Sequence, residues 1–230
     1  MIRRLITAID TPEMAGAQAL IRQVAPHCGL VKLGLEFFVA NGPAGLSVAG
    51  GAPVFLDLKL HDIPNTVAGA VRSLAPLGVE MLTIHAGGGA AMVAAASDAA
   101  AKAKKPPKIL AVTVLTSLDA SALSETGVAG GTTQQVLRLA RLALANGADG
   151  LVCSAHEISQ LRDAFGEKPI LVVPGIRPAG SALSDQARVM TPEQAVTAGA
   201  DYIVVGRPIT KAADPAGAAA AIAAGIAGLR

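Results

Sequence analysis

Six residues, Asp57-Leu58-Lys59-Leu60-His61-Asp62, place two carboxylates around one ammonium directly after the apolar run Pro53-Val54-Phe55-Leu56. A short run rich in aromatic and β-branched residues reads as a buried strand. Side chains two apart on a strand share a face and sit roughly 6–7 Å apart, so Asp57 and Lys59 point the same way. Two charges on a core-facing surface can leave water only when they are paired. The pattern is therefore either a structural ion-pair network or a charged reaction centre. D-x-K-x-x-D is moderately specific on its own, and its place in the fold has to decide.

The flanking chain alternates between two periods. Strands are expected at 5–9, 30–34, the stretch opening at Pro53, 81–84, 108–115, 150–153, 169–173 and 202–205. Helical patterns follow each: from Thr11-Pro12-Glu13, a Gly-broken stretch over 36–48, from Asn65-Thr66, 90–104, 132–146, from His156, from Thr191-Pro192-Glu193 and from Pro215. Residues 117–131 read as a longer loop, and 178–190 show no periodicity. Eight strands alternating with eight helical segments, with no composition shift to mark a linker, predict a single (β/α)8 TIM barrel spanning 1–230.

In such a barrel the catalytic groups lie at the C-terminal ends of the strands. Asp10, Lys32, Asp57, Lys59, His85, Thr116 and Arg207 all fall at or just past expected strand ends. So many reactive types around one rim point to an active site. Loops after strands 7 and 8 commonly hold phosphate. Here they carry Gly175-Ile176-Arg177 and Gly206-Arg207, close-approach glycines with guanidiniums able to grip an anion bidentately. Loop 7 also exceeds the ~2–6 residues usual in α/β units, as lids do.

Composition narrows the partners. With 52% hydrophobic and 16% charged residues, a large core is assured, and a net charge of +2 supports neither nucleic acid nor an anionic membrane surface. The basic cluster from Lys102 to Lys108 contains Pro106-Pro107 and reads as a solvated helix end. No apolar stretch reaches the ~18–20 residues of a membrane span. The first residues, Met1-Ile2-Arg3-Arg4, do not open a signal peptide, and a cytoplasmic setting is expected. Cys28 and Cys153 have no disulfide or metal spacing and read as buried small hydrophobes. His61 is out of phase with Asp57 and Lys59 and reads as structural; His85 could orient a charged neighbour; His27 and His156 look ordinary.

Taken together, Asp57-Leu-Lys-Leu-His-Asp62-Ile-Pro-Asn-Thr66, the Pro-Gly-Ile-Arg-Pro run and Val-Val-Gly-Arg207-Pro-Ile-Thr resemble the orotidine 5′-phosphate decarboxylase family, from Ala8-Ile9-Asp10 to about Pro215. The resemblance implies a cofactor-independent decarboxylation of orotidine 5′-phosphate to UMP, the last step of pyrimidine synthesis, with no metal. It implies that Lys59 protonates C6 of the pyrimidine and Asp57 sits by the departing carboxylate. Asp62 and Thr66 would reach into the neighbouring subunit of a homodimer. Asp10 and Lys32 would contact the ribose, Thr116 the pyrimidine, and Arg177, Gln186, Gly206 and Arg207 the phosphate.

Three other readings compete. Barrel relatives with the same D-x-K-x-x-D handle sugar phosphates with Mg²⁺, as keto-gulonate-phosphate decarboxylase and hexulose-phosphate synthase do. They carry a metal-binding glutamate on strand 2, where this chain has the cation Lys32. A Schiff-base aldolase using Lys59 is disfavoured, because flanking carboxylates keep the amine protonated. A phosphate-ligand sensor would have no reason to keep the charged array out of water.

Overall fold

The computed structural model describes residues 4–178 and 190–229. Among them, eight parallel strands pair in chain order and close on themselves, β1 hydrogen-bonding to both β2 and β8. The strands are β1 (Leu5–Ile9), β2 (Leu30–Gly34), β3 (Val54–Leu60), β4 (Met81–His85), β5 (Lys108–Val112), β6 (Gly150–Val152), β7 (Ile170–Val173) and β8 (Tyr202–Val205). The helices between and after them are α1 (Met14–Val24), α2 (Leu35–Asn41), α3 (Pro64–Leu74), α4 (Ala90–Ala101), α5 (Ala120–Glu125), α6 (Thr132–Ala145), α7 (Ile158–Phe165), α8 (Pro192–Thr197), α9 (Arg207–Thr210) and α10 (Pro215–Gly225). The (β/α)8 barrel expected from the alternation is the fold found.

Strand alternation sorts the apolar residues into two cores. Ile6, Ala8, Leu30, Phe55, Met81, Leu110, Val172 and Val204 fill the barrel interior, with Val152, Ile170 and Tyr202 packed against them. The opposite phase, including Leu5, Val31, Leu33, Leu56, Leu82, Ile109 and Ile203, packs outward against the helices. These meet one apolar stripe per helix: Ala17, Ile21 and Val24 on α1, and Val67, Ala68, Val71 and Leu74 on α3.

Continuing the inward phase toward the C-terminal mouth changes its chemistry. Ala8 is followed by Asp10, Leu30 by Lys32, Phe55 by Asp57, and Met81 by Thr83 and then His85. The interior thus has an apolar floor and a charged mouth.

The repeated Gly-Ala-Asp before β6 and β8 acquires a structural meaning. Asp149 accepts the Ile109 N–H at 2.8 Å, and Asp201 accepts the Leu171 N–H at 2.8 Å. Each carboxylate therefore ties the foot of its own strand to the strand before it. Lys108 lies 3.1 Å from Asp149 and Arg162 lies 2.7 Å from Asp201, supplying the countercharge. The basic cluster is on the surface, with Lys105 paired to Glu80 at 3.4 Å.

Local differences from the expected elements have simple causes. Helix α1 starts at Met14, beyond Pro12, because the Thr11 hydroxyl accepts the Glu13 N–H (3.4 Å) and holds a turn there. Strand β5 stops at Val112, short of 115. The 117–131 loop contains α5, whose start is capped by Asp119 accepting the Ala122 N–H (2.9 Å). Thr191 caps α8 as expected, in a reciprocal box with Gln194. Cys28 and Cys153 are both buried.

Candidate active site

Four of the expected residues meet at the mouth above the interior floor. Lys59 Nζ donates to both oxygens of Asp57, at 2.9 and 3.0 Å. Lys32 Nζ lies 3.7 Å from Asp57 Oδ2 and 3.6 Å from Asp10 Oδ1. The result is a chain of alternating charge, Asp10–Lys32–Asp57–Lys59, drawn from the ends of β1, β2 and β3. Alternation lets the two inner charges, Lys32 and Asp57, each stand near two of opposite sign, the condition for keeping them partly desolvated.

The convergence of Asp57 and Lys59 is not that of a regular strand. Lys59 has φ +51°, and among the described residues it is the one non-glycine residue with a positive φ. Pairing between β3 and β4 runs Phe55↔Met81 and Leu56↔Leu82 and then jumps to Leu60↔Ile84, so four steps of β3 run beside two of β4. The surplus forms a bulge that re-aims the Lys59 side chain onto Asp57. Left-handed backbone at a long-chain residue is strained, and such strain gathers at functional positions.

Burial alone raises the pKa of Asp57. The charges of Lys32 and Lys59 and hydrogen bonds from Lys59 and Thr83 outweigh it, so the carboxyl sits below its ordinary value and stays ionised. Burial lowers the pKa of His85, and the His61 and Lys59 charges lower it further. The His85 Nδ1 accepts the Gly87 N–H at 3.0 Å, and its ring stacks on His61 with centroids 5.2 Å apart. His61 is thus a rim residue leaning on His85, outside the Asp57–Lys59 face.

The charged chain borders a cavity of about 160 Å³ whose remaining lining is mostly apolar. Lys32, Asp57, Lys59 and Thr116 face it together with Phe55, Val112 and Val204. Its lining thus combines charged groups with an apolar surface. Burial holds the Cys153 thiol, also in this lining, in its protonated form by raising its pKa.

The remaining expected residues that the structure describes follow the C-terminal ends of the strands. Gly206 stands at the end of β8 beside Asp10: a Cβ there would come within 3.0 Å of Asp10 Oδ2 and 3.5 Å of the Ala8 Cβ. The glycine therefore leaves room for the carboxylate. Arg207 opens α9 and is exposed. Gly175 takes φ +78°, and the Arg177 N–H donates to Met190 O at 3.1 Å. Asp62 and Thr66 are exposed at the start of α3, where Asp62 accepts the Ile63 N–H at 2.6 Å. Gln186 lies outside the described residues.

One residue escaped the sequence reading. Thr83, fully buried in the middle of β4, donates to Asp57 Oδ1 at 2.9 Å and accepts the Lys59 N–H at 2.8 Å. The available signal was its phase: it is the polar step between Met81 and His85 on the inward face.

Fold and site together define a (β/α)8-barrel enzyme that carries, at its C-terminal mouth, an ammonium held on both oxygens of one carboxylate. Residues 3–222 match the orotidine 5′-phosphate decarboxylase / HUMPS family, and the chain belongs to that family. It is 58% identical over 225 residues to orotidine 5′-phosphate decarboxylase of Anaeromyxobacter sp. (strain K), covering 97% of this chain and 98% of the relative. Identity to the enzyme of Gluconobacter oxydans is 56%, covering 95% of each chain. The crystal structure of orotidine 5′-phosphate decarboxylase from Lactobacillus acidophilus superposes with a TM-score of 0.88 at 38% identity, covering 98% of this chain and 99% of that one.

Proposed function

We propose that this chain converts orotidine 5′-phosphate to UMP and CO₂, with Lys59, Asp57 and Asp62 as its catalytic residues and 1–230 acting as one catalytic domain. The observation that carries the reading is the clasped ammonium. Lys59 is held on both oxygens of an ionised Asp57, at the edge of a cavity with an apolar wall, in a chain of this family.

The reaction asks for such an arrangement. The bond from C6 to the carboxylate breaks heterolytically, CO₂ leaves, and the electron pair stays on a ring carbon with no carbonyl placed to delocalise it directly. A preorganised cation at that carbon stabilises the developing charge. Two opposite charges about 4 Å apart attract by roughly 4 kcal/mol at an effective dielectric of 20. The same ammonium then gives a proton to C6 and recovers one from water.

Asp57, beside the departing carboxylate, repels it in the ground state and keeps Lys59 protonated. Asp10 and Lys32 bind the ribose, Thr116 lies against the pyrimidine, and Arg177, Gln186, Gly206 and Arg207 hold the phosphate. Binding energy from that distant grip can be expressed at the reacting carbon. A metal-dependent sugar-phosphate reaction is disfavoured by Lys32, whose ammonium would stand where a divalent cation needs a carboxylate.

We further propose a cytoplasmic homodimer. Leu35 and Val39, one turn apart on α2, and Ile63, just before α3, are 57%, 75% and 66% exposed. They follow adjacent strands at the same mouth, next to exposed Asp62 and Thr66. Covering them with a second copy would carry Asp62 and Thr66 toward a neighbouring site. Among the described residues no helix is long and apolar enough to cross a membrane.

The test follows orotidine 5′-phosphate absorbance. Wild-type turnover should be unaffected by EDTA. Lys59→Ala should lose several orders of magnitude in turnover while still binding UMP. A Lys59→Ala protein with a tenth of wild-type activity would remove Lys59 from the chemistry.

A further inference from the structure

The bulge that brings Lys59 to Asp57 leaves a backbone amide off the β3–β4 ladder. Between Leu56↔Leu82 and Leu60↔Ile84 no strand pairing is made, so the Lys59 N–H must find another acceptor inside the barrel. It finds the Thr83 hydroxyl, at 2.8 Å. A hydroxyl has one proton to give, and Thr83 gives it to Asp57 Oδ1 at 2.9 Å. One buried side chain thus touches the reacting pair twice, at the backbone of the cation and at the carboxylate of the anion.

Neither contact is interchangeable with solvent. Thr83 has no exposed surface, and its β-branched side chain is stiff at χ1 on a strand. The two hydrogen bonds define the direction of the hydroxyl: lone pair toward Lys59, proton toward Asp57. Asp57 in turn has Lys32 on its β2 side and Lys59 on its own strand, with Asp10 beyond Lys32 and His85 further up β4.

We propose that Thr83 is a positioning residue of the decarboxylation, one that holds Lys59 in its left-handed backbone conformation and fixes the Asp57 carboxylate while the Lys59 ammonium is engaged with C6. The inference rests on the proposed roles of Lys59 and Asp57. When the ammonium turns to the substrate, Asp57 loses two of its hydrogen bonds, and the Thr83 proton and the Lys32 charge remain to orient it. Without the hydroxyl, the Lys59 N–H is left buried and unpaired, the bulge relaxes, and the ammonium moves away from the reacting carbon.

Thr83→Val keeps the shape and removes both contacts. It should lower kcat by about 10- to 100-fold, the scale of a misplacement near 1 Å. The inhibition constant of UMP, which is gripped by phosphate and ribose contacts, should stay within about threefold. Thr83→Ser restores the hydroxyl and should recover most of kcat. Thr83→Ala, which cannot overpack, is read the same way should the Val variant fail to fold. A kcat within threefold of wild type in the folded variant overturns the proposal. So does a parallel loss of UMP binding, or a Ser variant as slow as Val, since either marks a merely structural role. Lys59→Ala measured alongside separates the two ideas: its retaining activity would defeat the reading of the site itself, whereas an inactive Lys59→Ala beside an unaffected Thr83→Val would defeat only this inference.

Discussion

Asp57 accepts three hydrogen bonds, two from the Lys59 ammonium and one from Thr83, and faces the Lys32 ammonium as well. Its pairing with Lys59 was legible in the sequence because two charges two residues apart had to share a face and be paired. The means was not. Nothing in Leu58-Lys59-Leu60 announces a left-handed lysine, and Thr83 reads as a β-branched strand residue until its phase is followed. At the phosphate end, Arg207→Ala should weaken UMP binding by about 1.5–3 kcal/mol for each charge-assisted bond lost. Arg207→Lys should recover only part, lacking the planar fork. Titration calorimetry with unchanged affinity in the Ala variant would move the phosphate elsewhere.

The stacked histidines give a residue-scale prediction of stability. His85 is held below its ordinary pKa, so the folded protein favours the neutral ring. The unfolded chain takes up its proton near pH 6.5, earlier than the folded one as pH falls. The stabilising contribution is therefore full above about pH 6.5 and shrinks as pH drops toward the folded value. His85→Gln should flatten this part of the pH profile of urea midpoints below neutrality. Parallel profiles for the two proteins would mean the ring does not sense folding.

At the scale of elements, β1, β2 and β8 end where alternation and turn residues predict, and β3 overruns its apolar run because Asp57 still pairs with Gly34 of β2 and Leu60 with Ile84 of β4. Helices α1, α3 and α6 show their stripe in the sequence, whereas α4 and α10 are legible by their alanine content instead. The four-residue α9 and six-residue α5 show no stripe, since fewer than two turns carry no period. Close approach between strands is equally silent in one sequence. A Cβ on Gly150 of β6 would overlap the Ile170 carbonyl of β7, a backbone atom that cannot step aside. Gly150→Ala should cost at least the 1–3 kcal/mol typical of overpacking, roughly, and be seen as a lowered denaturation midpoint. An unshifted midpoint would mean the β6–β7 seam is looser than its register.

For the whole molecule, the barrel followed from counting alternating elements, whereas the proposed cover of Leu35, Val39 and Ile63 by a second copy is a property of two chains that one sequence does not display. If each site takes Lys59 from one subunit and Asp62 from the other, mixed Lys59→Ala and Asp62→Ala subunits should complement. A heterodimer then holds one doubly defective site and one intact site, so activity should return to about a quarter of wild type for random pairing across a two-fold interface. Exchanged dimers on gel filtration with background activity would assign Asp62 to its own chain.

The floor of the barrel also gives the protein an optical gauge. The chain has one tyrosine and no tryptophan, and that tyrosine, Tyr202, packs at the β8 foot against the interior cluster, far from the charged mouth. Burial, then Asp201 and Glu80, push its phenol pKa up, with Arg4 opposing. Its ultraviolet emission consequently reports whether the barrel is closed and is indifferent to what the rim loops do.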